Sequence, residues 1–231
     1  MITIREANAR GKANFGWLDS RHTFSFGQYY DPQYMGVSAL RVINDDKVAP
    51  SAGFSTHGHS NMEIISLVTQ GEMVHKDSEG NLQHLPAGEF QLMSAGTGIM
   101  HSEYNASDKE PLHFLQIWVQ PSEQGGQPGY QQKRFDSELP VTTVISPDGR
   151  DGTLKIKQDA FISEVKLTTG QSVELPTDPG RRYYLHVING ALDIDGQTLS
   201  AGDGAQAEAL SSLTLTQQGE ITTTAILFDL P

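Results

Sequence analysis

The sequence predicts an all-β protein built from two similar β-barrels. Three observations carry this expectation. Helical periodicity is scarce along the 231 residues. Short runs rich in β-branched and aromatic residues recur instead, each ending near Gly, Pro, Asn or Asp. One strand–turn pattern also occurs twice, about half a chain apart.

The runs at 37–44 (VSALRVIN), 63–69 (EIISLVT), 114–119 (FLQIWV), 183–188 (YYLHVI) and 222–228 (TTTAILF) read as strands. Residues 121–130 (PSEQGGQPGY) hold three Gly and two Pro, the composition of a linker or long surface loop. The repeat brackets that segment. Val68-Thr69-Gln70-Gly71 resembles Val187-Ile188-Asn189-Gly190, an offset of 119 (190 − 71). Leu85-Pro86-Ala87-Gly88-Glu89 resembles Leu199-Ser200-Ala201-Gly202-Asp203, an offset of 114 (202 − 88). The five-residue difference predicts a shorter hairpin in the second copy. The expected organisation is an N-terminal barrel over 1–120, a linker over 121–134 and a C-terminal barrel over 135–231.

Composition excludes several functions. Sixteen Lys and Arg face 28 Asp and Glu, a net charge of −12, which argues against nucleic acid and anionic membranes as partners. Cysteine is absent, so disulfides, thiolate nucleophiles and iron–sulfur ligation are all excluded. The first residues lack the basic and apolar regions of a signal peptide, and no apolar run approaches the roughly 18 residues of a membrane span. A cytoplasmic location is the resulting expectation. Nucleotide-binding glycine loops and the G-x-S-x-G elbow are missing as well.

The chemistry concentrates in two short motifs. In His57-Gly58-His59 the imidazoles stand at i and i+2, so a strand points both to one face, about 6.6 Å apart. A second i, i+2 pair, His101-Ser102-Glu103, follows 44 residues on, after Gly96-Thr97-Gly98. On facing strands these pairs offer three imidazoles and a carboxylate to one cation, a set suited to Fe2+, Mn2+, Co2+, Ni2+, Cu2+ or Zn2+ and too nitrogen-rich for Ca2+ or Mg2+. Glu63 shares parity with His57 and His59, and spacing leaves Glu63 and Glu103 level as the acidic ligand. His22, His75, His84, His113 and His186 have no partner at ligand spacing and read as surface or ordinary core. Phe15, Trp17, Phe24, Phe26, Tyr29, Tyr30 and Tyr34 crowd into 20 residues. They suit either the roof of a pocket for a flat ligand or packing between the barrels, and the packing reading is preferred.

These motifs resemble a known family. Gly53-x3-His57-x-His59-x3-Glu63-x7-Gly71 resembles the first cupin motif, and Gly96-x-Gly98-x2-His101-x3-Asn105 the second, with Gly96 where many cupins have Pro. Phe24-Ser25-Phe26, Ala95-Gly96-x-Gly98-Ile99-x-His101-Ser102-Glu103 and Leu115-Gln116-Ile117-Trp118-Val119 are closer to the pirins, a branch of two-barrel cupins, over the chain from about residue 5 onward. The resemblance implies two cupin-type barrels packed face to face. It implies one divalent cation, with Fe2+ expected first, held by His57, His59, His101 and Glu103, and it moves Glu63 to a place behind or beside the ligands. It further implies a quercetin 2,3-dioxygenase activity, in which a flavonol and O2 react with ring opening and loss of CO, and Glu103 serves as base. The alternatives are a metal-dependent regulator binding a protein partner, or another small-molecule cupin enzyme. Carrying the repeat offsets over places Pro176, Asp178, Arg182, Leu215 and Gln217 at the motif positions of the second barrel, so that barrel is expected to hold no metal.

Overall fold

The computed structural model describes residues 1–231. It contains 22 strands and no α-helix, only single 3-10 turns at Ala7–Ala9 and Arg150–Gly152. No helix is therefore long and apolar enough to cross a membrane. The chain divides into two compact units. One comprises Gly11–Phe135 with Leu154–Gln158, the other Met1–Arg10, Asp136–Thr153 and Asp159–Pro231.

In chain order the strands are β1 (Ile2–Arg5), β2 (Gly11–Asn14), β3 (Leu18–His22), β4 (Leu40–Val48), β5 (Gly53–His59), β6 (Glu63–Gln70), β7 (Glu72–Asp77), β8 (Leu82–Pro86), β9 (Glu89–Ser94), β10 (Ile99–Asn105), β11 (Leu112–Val119) and β12 (Gly129–Arg134). There follow β13 (Val141–Ser146), β14 (Leu154–Lys155), β15 (Phe161–Leu167), β16 (Ser172–Pro176), β17 (Arg182–Asn189), β18 (Ala191–Ile194), β19 (Gln197–Ser200), β20 (Gly204–Glu208), β21 (Ser212–Gln218) and β22 (Thr223–Leu230).

The first unit is two sheets, ordered β12-β9-β6-β11-β4-β3-β2 and β5-β10-β7-β8. The second repeats ten of these eleven strands in the same order, as β1-β20-β17-β22-β15-β13 and β16-β21-β18-β19. This is the duplicated cupin-type architecture the sequence predicts. The five missing residues lie where the offsets put them: Gly71 to Gly88 spans 17 positions (88 − 71) around the β7–β8 hairpin, and Gly190 to Gly202 spans 12 (202 − 190) around β18–β19. Gly71 and Gly190 take φ of 81° and 77°, the left-handed conformation that only glycine adopts without strain, so both hairpins turn at the same place. Inward-facing apolar side chains fill each unit. Leu185, Leu192, Ile194, Leu213 and Leu215 are fully buried in the second, and Val68, Met73, Leu85 and Phe114 in the first.

Two boundaries differ from expectation. The expected linker 121–134 contains β12, which pairs with β9 from Gly129↔Ser94 to Arg134↔Glu89. Its polar sequence GYQQKR suits a sheet edge, where only one flank is paired, and so lacks the apolar alternation of an inner strand. The first ten residues belong to the second unit, where β1 pairs with β20 at the position β12 occupies in the first. The run expected at 37–44 also shifts. Ser38 turns the chain at φ 51°, and the strand runs from Leu40 to Val48, carrying Asn44 and Asp46 to the interior.

The strand that positions the histidines is bent by a bulge. β10 pairs with β5 at His101↔His57 and next at Glu103↔Phe54, so β5 has one residue more than β10 between these pairs. A bulge of this kind flips side-chain parity. Phe54, His57 and His59 therefore all face inward although Phe54 and His57 are three positions apart. The approach is close at Gly53, where an added Cβ would lie 2.3 Å from the Glu103 carbonyl oxygen and 2.6 Å from Tyr104 Cα, both backbone atoms. Gly53→Ala is expected to push β5 off β10, lowering stability by about 1–3 kcal/mol and weakening metal uptake. Urea denaturation and nickel titration of the same samples check both effects.

Candidate metal centre

The two i, i+2 motifs meet as neighbours. Antiparallel pairing sets His57 opposite His101, and the three rings of His57, His59 and His101 lie with centroids 4.4–4.9 Å apart. One ring nitrogen from each lies within 4.8 Å of the others. A second group shares His101: His75, His101 and Glu103 also converge within 4.8 Å. The expected four residues are thus brought to one place, as two overlapping triads and not one square. His75 enters from β7, where the register sets it beside Glu103. It is fully buried, which excludes the surface reading, and its convergence with His101 and Glu103 sets it apart from an ordinary core residue. Its spacing to the other residues runs across the sheet, so no local motif announces it.

Hydrogen bonds assign the free nitrogens. His57 Nδ1 donates to the Ser55 carbonyl at 2.8 Å, which leaves Nε2 with its lone pair. His75 Nε2 lies 3.1 Å from Asp77 Oδ2, and that carboxyl is held below its ordinary range because bonds from Asn81 and His75 outweigh its burial. His59 Nε2, both nitrogens of His101 and His75 Nδ1 are buried with no partner. An unmet buried polar atom costs about 1–3 kcal/mol, so the lone pair that each of these three rings carries calls for a group that accepts it. Burial, then the His57 ring, pushes His59 down to about 4; burial, then His57, His59 and His75, pushes His101 down to about 3. Both are neutral at pH 7, the form that ligates metal. The residues fit a first-row divalent cation.

Glu103 is 1% exposed. Its carboxylate accepts from Ser66 Oγ at 3.3 Å and Gln116 Nε2 at 2.8 Å. Burial still pushes its pKa up to about 7. A cavity of about 670 Å³ opens on the histidines, walled by His57, His59, Trp17, Phe26, Phe54 and Trp118. Trp118 stands edge-on between His59 (5.0 Å) and Phe26 (5.3 Å). Phe15, Trp17, Phe26 and Tyr29 line this cavity, so these four members of the aromatic cluster roof a pocket, contrary to the preferred packing reading.

Comparison with known proteins agrees with this geometry. The pirin profile matches residues 3–119, and a profile described as the quercetinase C-terminal cupin domain matches 143–230. The chain belongs to the pirin family. A quercetin 2,3-dioxygenase of Escherichia coli K12 is 48% identical over 233 residues, covering 100% of this pirin and 99% of that protein. A pirin-like protein of Caulobacter vibrioides is 38% identical over 96% of this chain and 97% of its own. The crystal structure of the bacterial pirin YhhW from E. coli in complex with nickel(II) superposes with a TM-score of 0.96 at 46% identity, covering 100% of this chain and 99% of that one.

The second barrel of this pirin serves as an internal control. Matching Gly190 to Gly71 and following the pairings β18–β21 and β21–β16 places Leu175, Leu213, Leu215 and Ile194 where the first barrel has His57, His101, Glu103 and His75. Leu185 and Leu227 stand for Ser66 and Gln116. Leu215 and Gln217, the positions reached by the 114 offset, are two residues too far along β21; Gln217 corresponds to Asn105, and both side-chain amides donate to three loop carbonyls. The same barrel thus folds with hydrocarbon at every one of these positions. Burying His, Glu, Ser and Gln there serves something other than the fold.

Glu63 belongs to neither triad. Strand β5 ends at His59 and Asn61 turns the chain at φ 52°, so the parity shared with the histidines is broken. Its buried carboxylate accepts from Ser94 Oγ at 2.8 Å and the Lys157 amide at 3.2 Å, which ties the 154–158 segment to its own unit.

A titration follows from Glu103. Its folded-state pKa of about 7 lies above the ordinary 4.5, so its stabilising contribution is complete below that value and is lost as pH rises through 7. Metal-free wild type is expected to lose melting temperature relative to Glu103→Gln between pH 4.5 and about 7 and to level off above, and added Ni2+ to restore the wild type more than the variant. Scanning fluorimetry across that range measures the difference.

Proposed function

We propose that this pirin is a metal-dependent dioxygenase acting on flavonols, opening the central heterocycle of a quercetin-like substrate with O2 and releasing CO. The observation that carries the reading is the convergence of three imidazoles, with nitrogens of His59 and His101 buried and unpaired, beside an aromatic-walled cavity. The dioxygenase name of a relative at 48% identity and the nickel complex of the superposing pirin support it.

His57, His59 and His101 would hold the cation, with Glu103 closing the set from beside His101. When bound, the cation supplies Lewis acidity that lowers the pKa of a ligand hydroxyl. Fe2+ is the expected ion, and other first-row divalent ions suit the same donors. The aromatic walls, Trp118 and Phe26 above all, hold a flat ring system and exclude water. Glu103 takes the hydroxyl proton at its carboxylate, while Ser66 and Gln116 keep that carboxylate aimed. The electron-rich substrate anion and O2 then carry the redox chemistry.

His57→Ala removes one ring of the triad and, with it, the Phe54–His57 contact at the cavity wall. It is expected to lower metal content to background and quercetin-dependent oxygen uptake by at least about 100-fold. Elemental analysis and an oxygen electrode on the same preparation test this. Normal oxygen consumption by the variant would overturn the proposal.

A further inference from the structure

The cavity wall carries a second set of polar groups that the metal chemistry does not use. Asn44 and Asp46 on β4 and His22 on β3 are 3%, 2% and 5% exposed, and all three line the cavity. Asn44 Oδ1, Asp46 Oδ1 and His22 Nδ1 have no hydrogen-bond partner. The register makes them one continuous row. His22 lies opposite Asn44, Asn44 opposite Gln116, and Gln116 donates to Glu103. A polar stripe therefore crosses the sheet from the histidine triad toward β3.

The second barrel again supplies the comparison. Its counterparts, read from the same pairings, are Thr143 for His22, Ser163 for Asn44 and Val165 for Asp46. Its own cavity at this place is about 330 Å³, half the size, and Thr143, Ser163, Leu175 and Leu227 stand in its wall. The fold accepts small or aliphatic residues at every position of the row. Unpaired buried acceptors at those positions in the first barrel are costly unless something that enters the cavity satisfies them.

We propose that Asn44, Asp46 and His22 form a hydroxyl-reading subsite, which selects aromatic ligands that carry phenolic O–H donors beyond their metal-binding group. Asn44 and Asp46 stand at alternate positions of one strand, so both acceptors face the cavity and take donors from different points of one ring system. A ligand that brings only hydrogen or ether oxygen to this row leaves the acceptors unmet and binds more weakly. This rests on the flavonol reading above and adds which members of the class are preferred.

The test uses the full-length protein loaded with Ni2+ under nitrogen, so that binding is read without turnover. Two probes share the 3-hydroxy-4-keto chelating group: quercetin, with neighbouring hydroxyls on its pendant ring, and 3-hydroxyflavone, with no other hydroxyl. Absorption titration is expected to show wild type preferring quercetin at least tenfold. Asp46→Val and Asn44→Ser, each copying its counterpart in the second barrel, should reduce that preference to threefold or less through weaker quercetin binding, with nickel content unchanged. Asp46→Val should melt no lower than wild type, because it removes an unsatisfied buried group. A wild type without preference, or a preference that survives in both variants, overturns the subsite and leaves the flavonol reading standing. A large fall in melting temperature on Asp46→Val assigns Asp46 to the barrel's stability and overturns its role here. Failure of wild type to bind either compound overturns the flavonol reading and this inference together.

Discussion

Buried nitrogen lone pairs without hydrogen-bond partners are the constraint around which the first barrel is arranged. His59, His75 and His101 leave four nitrogens unpaired inside a cupin-type barrel, one of the two on His101 being an N–H, and each is unfavourable while unmet. The second barrel removes the alternative explanation that the architecture demands them. It repeats ten strands of the plan and puts Leu213 and Ile194 where the first barrel has His101 and His75, and Leu175 and Leu215 where it has His57 and Glu103. Duplication has left one copy to bury hydrocarbon and the other to keep a polar interior at a cost in stability. That division suits a protein in which binding at one site offsets the cost.

Geometry then follows from backbone features, more than from side-chain packing. The bulge in β5 restores inward parity after Phe54, the absent Cβ of Gly53 lets β5 lie against the Glu103 carbonyl, and antiparallel register sets His57 across from His101. Behind the ligands a polar row from Ser66 through Gln116 to Asn44 fixes Glu103 and extends the chemistry along the cavity wall. The aromatic walls of Trp17, Phe26, Phe54 and Trp118 border the cavity onto which His57 and His59 face.

Much of this was legible in the sequence, for physical reasons that also mark where legibility stops. His57, His59, His101 and Glu103 stand at i, i+2, and a strand converts that spacing directly into a shared face. The turn glycines Gly71 and Gly190 exposed the duplication and even the five-residue shorter hairpin. His75 was hidden because its neighbours come from β10, and cross-strand register depends on hairpin length, which no local spacing encodes. Asn44 and Asp46 were hidden inside a polar stretch that reads as the end of a strand. Alternation up to Val48, with Lys47 outward, was the available signal. Strand β12 was lost because an edge strand needs no apolar face. Spacing alone left Glu63 level with Glu103 because parity holds only along an unbroken strand, and the turn at Asn61 breaks it.

The central claim is that His57, His59 and His101 share one cation. Anomalous diffraction at the absorption edges of the first-row metals, on crystals of the protein as isolated, tests it most directly. The account predicts a single strong peak at about 2.0–2.3 Å from a ring nitrogen of each of the three histidines. Peaks only elsewhere, or ordered water hydrogen-bonded to those nitrogens with no anomalous signal in metal-supplemented crystals, would contradict it.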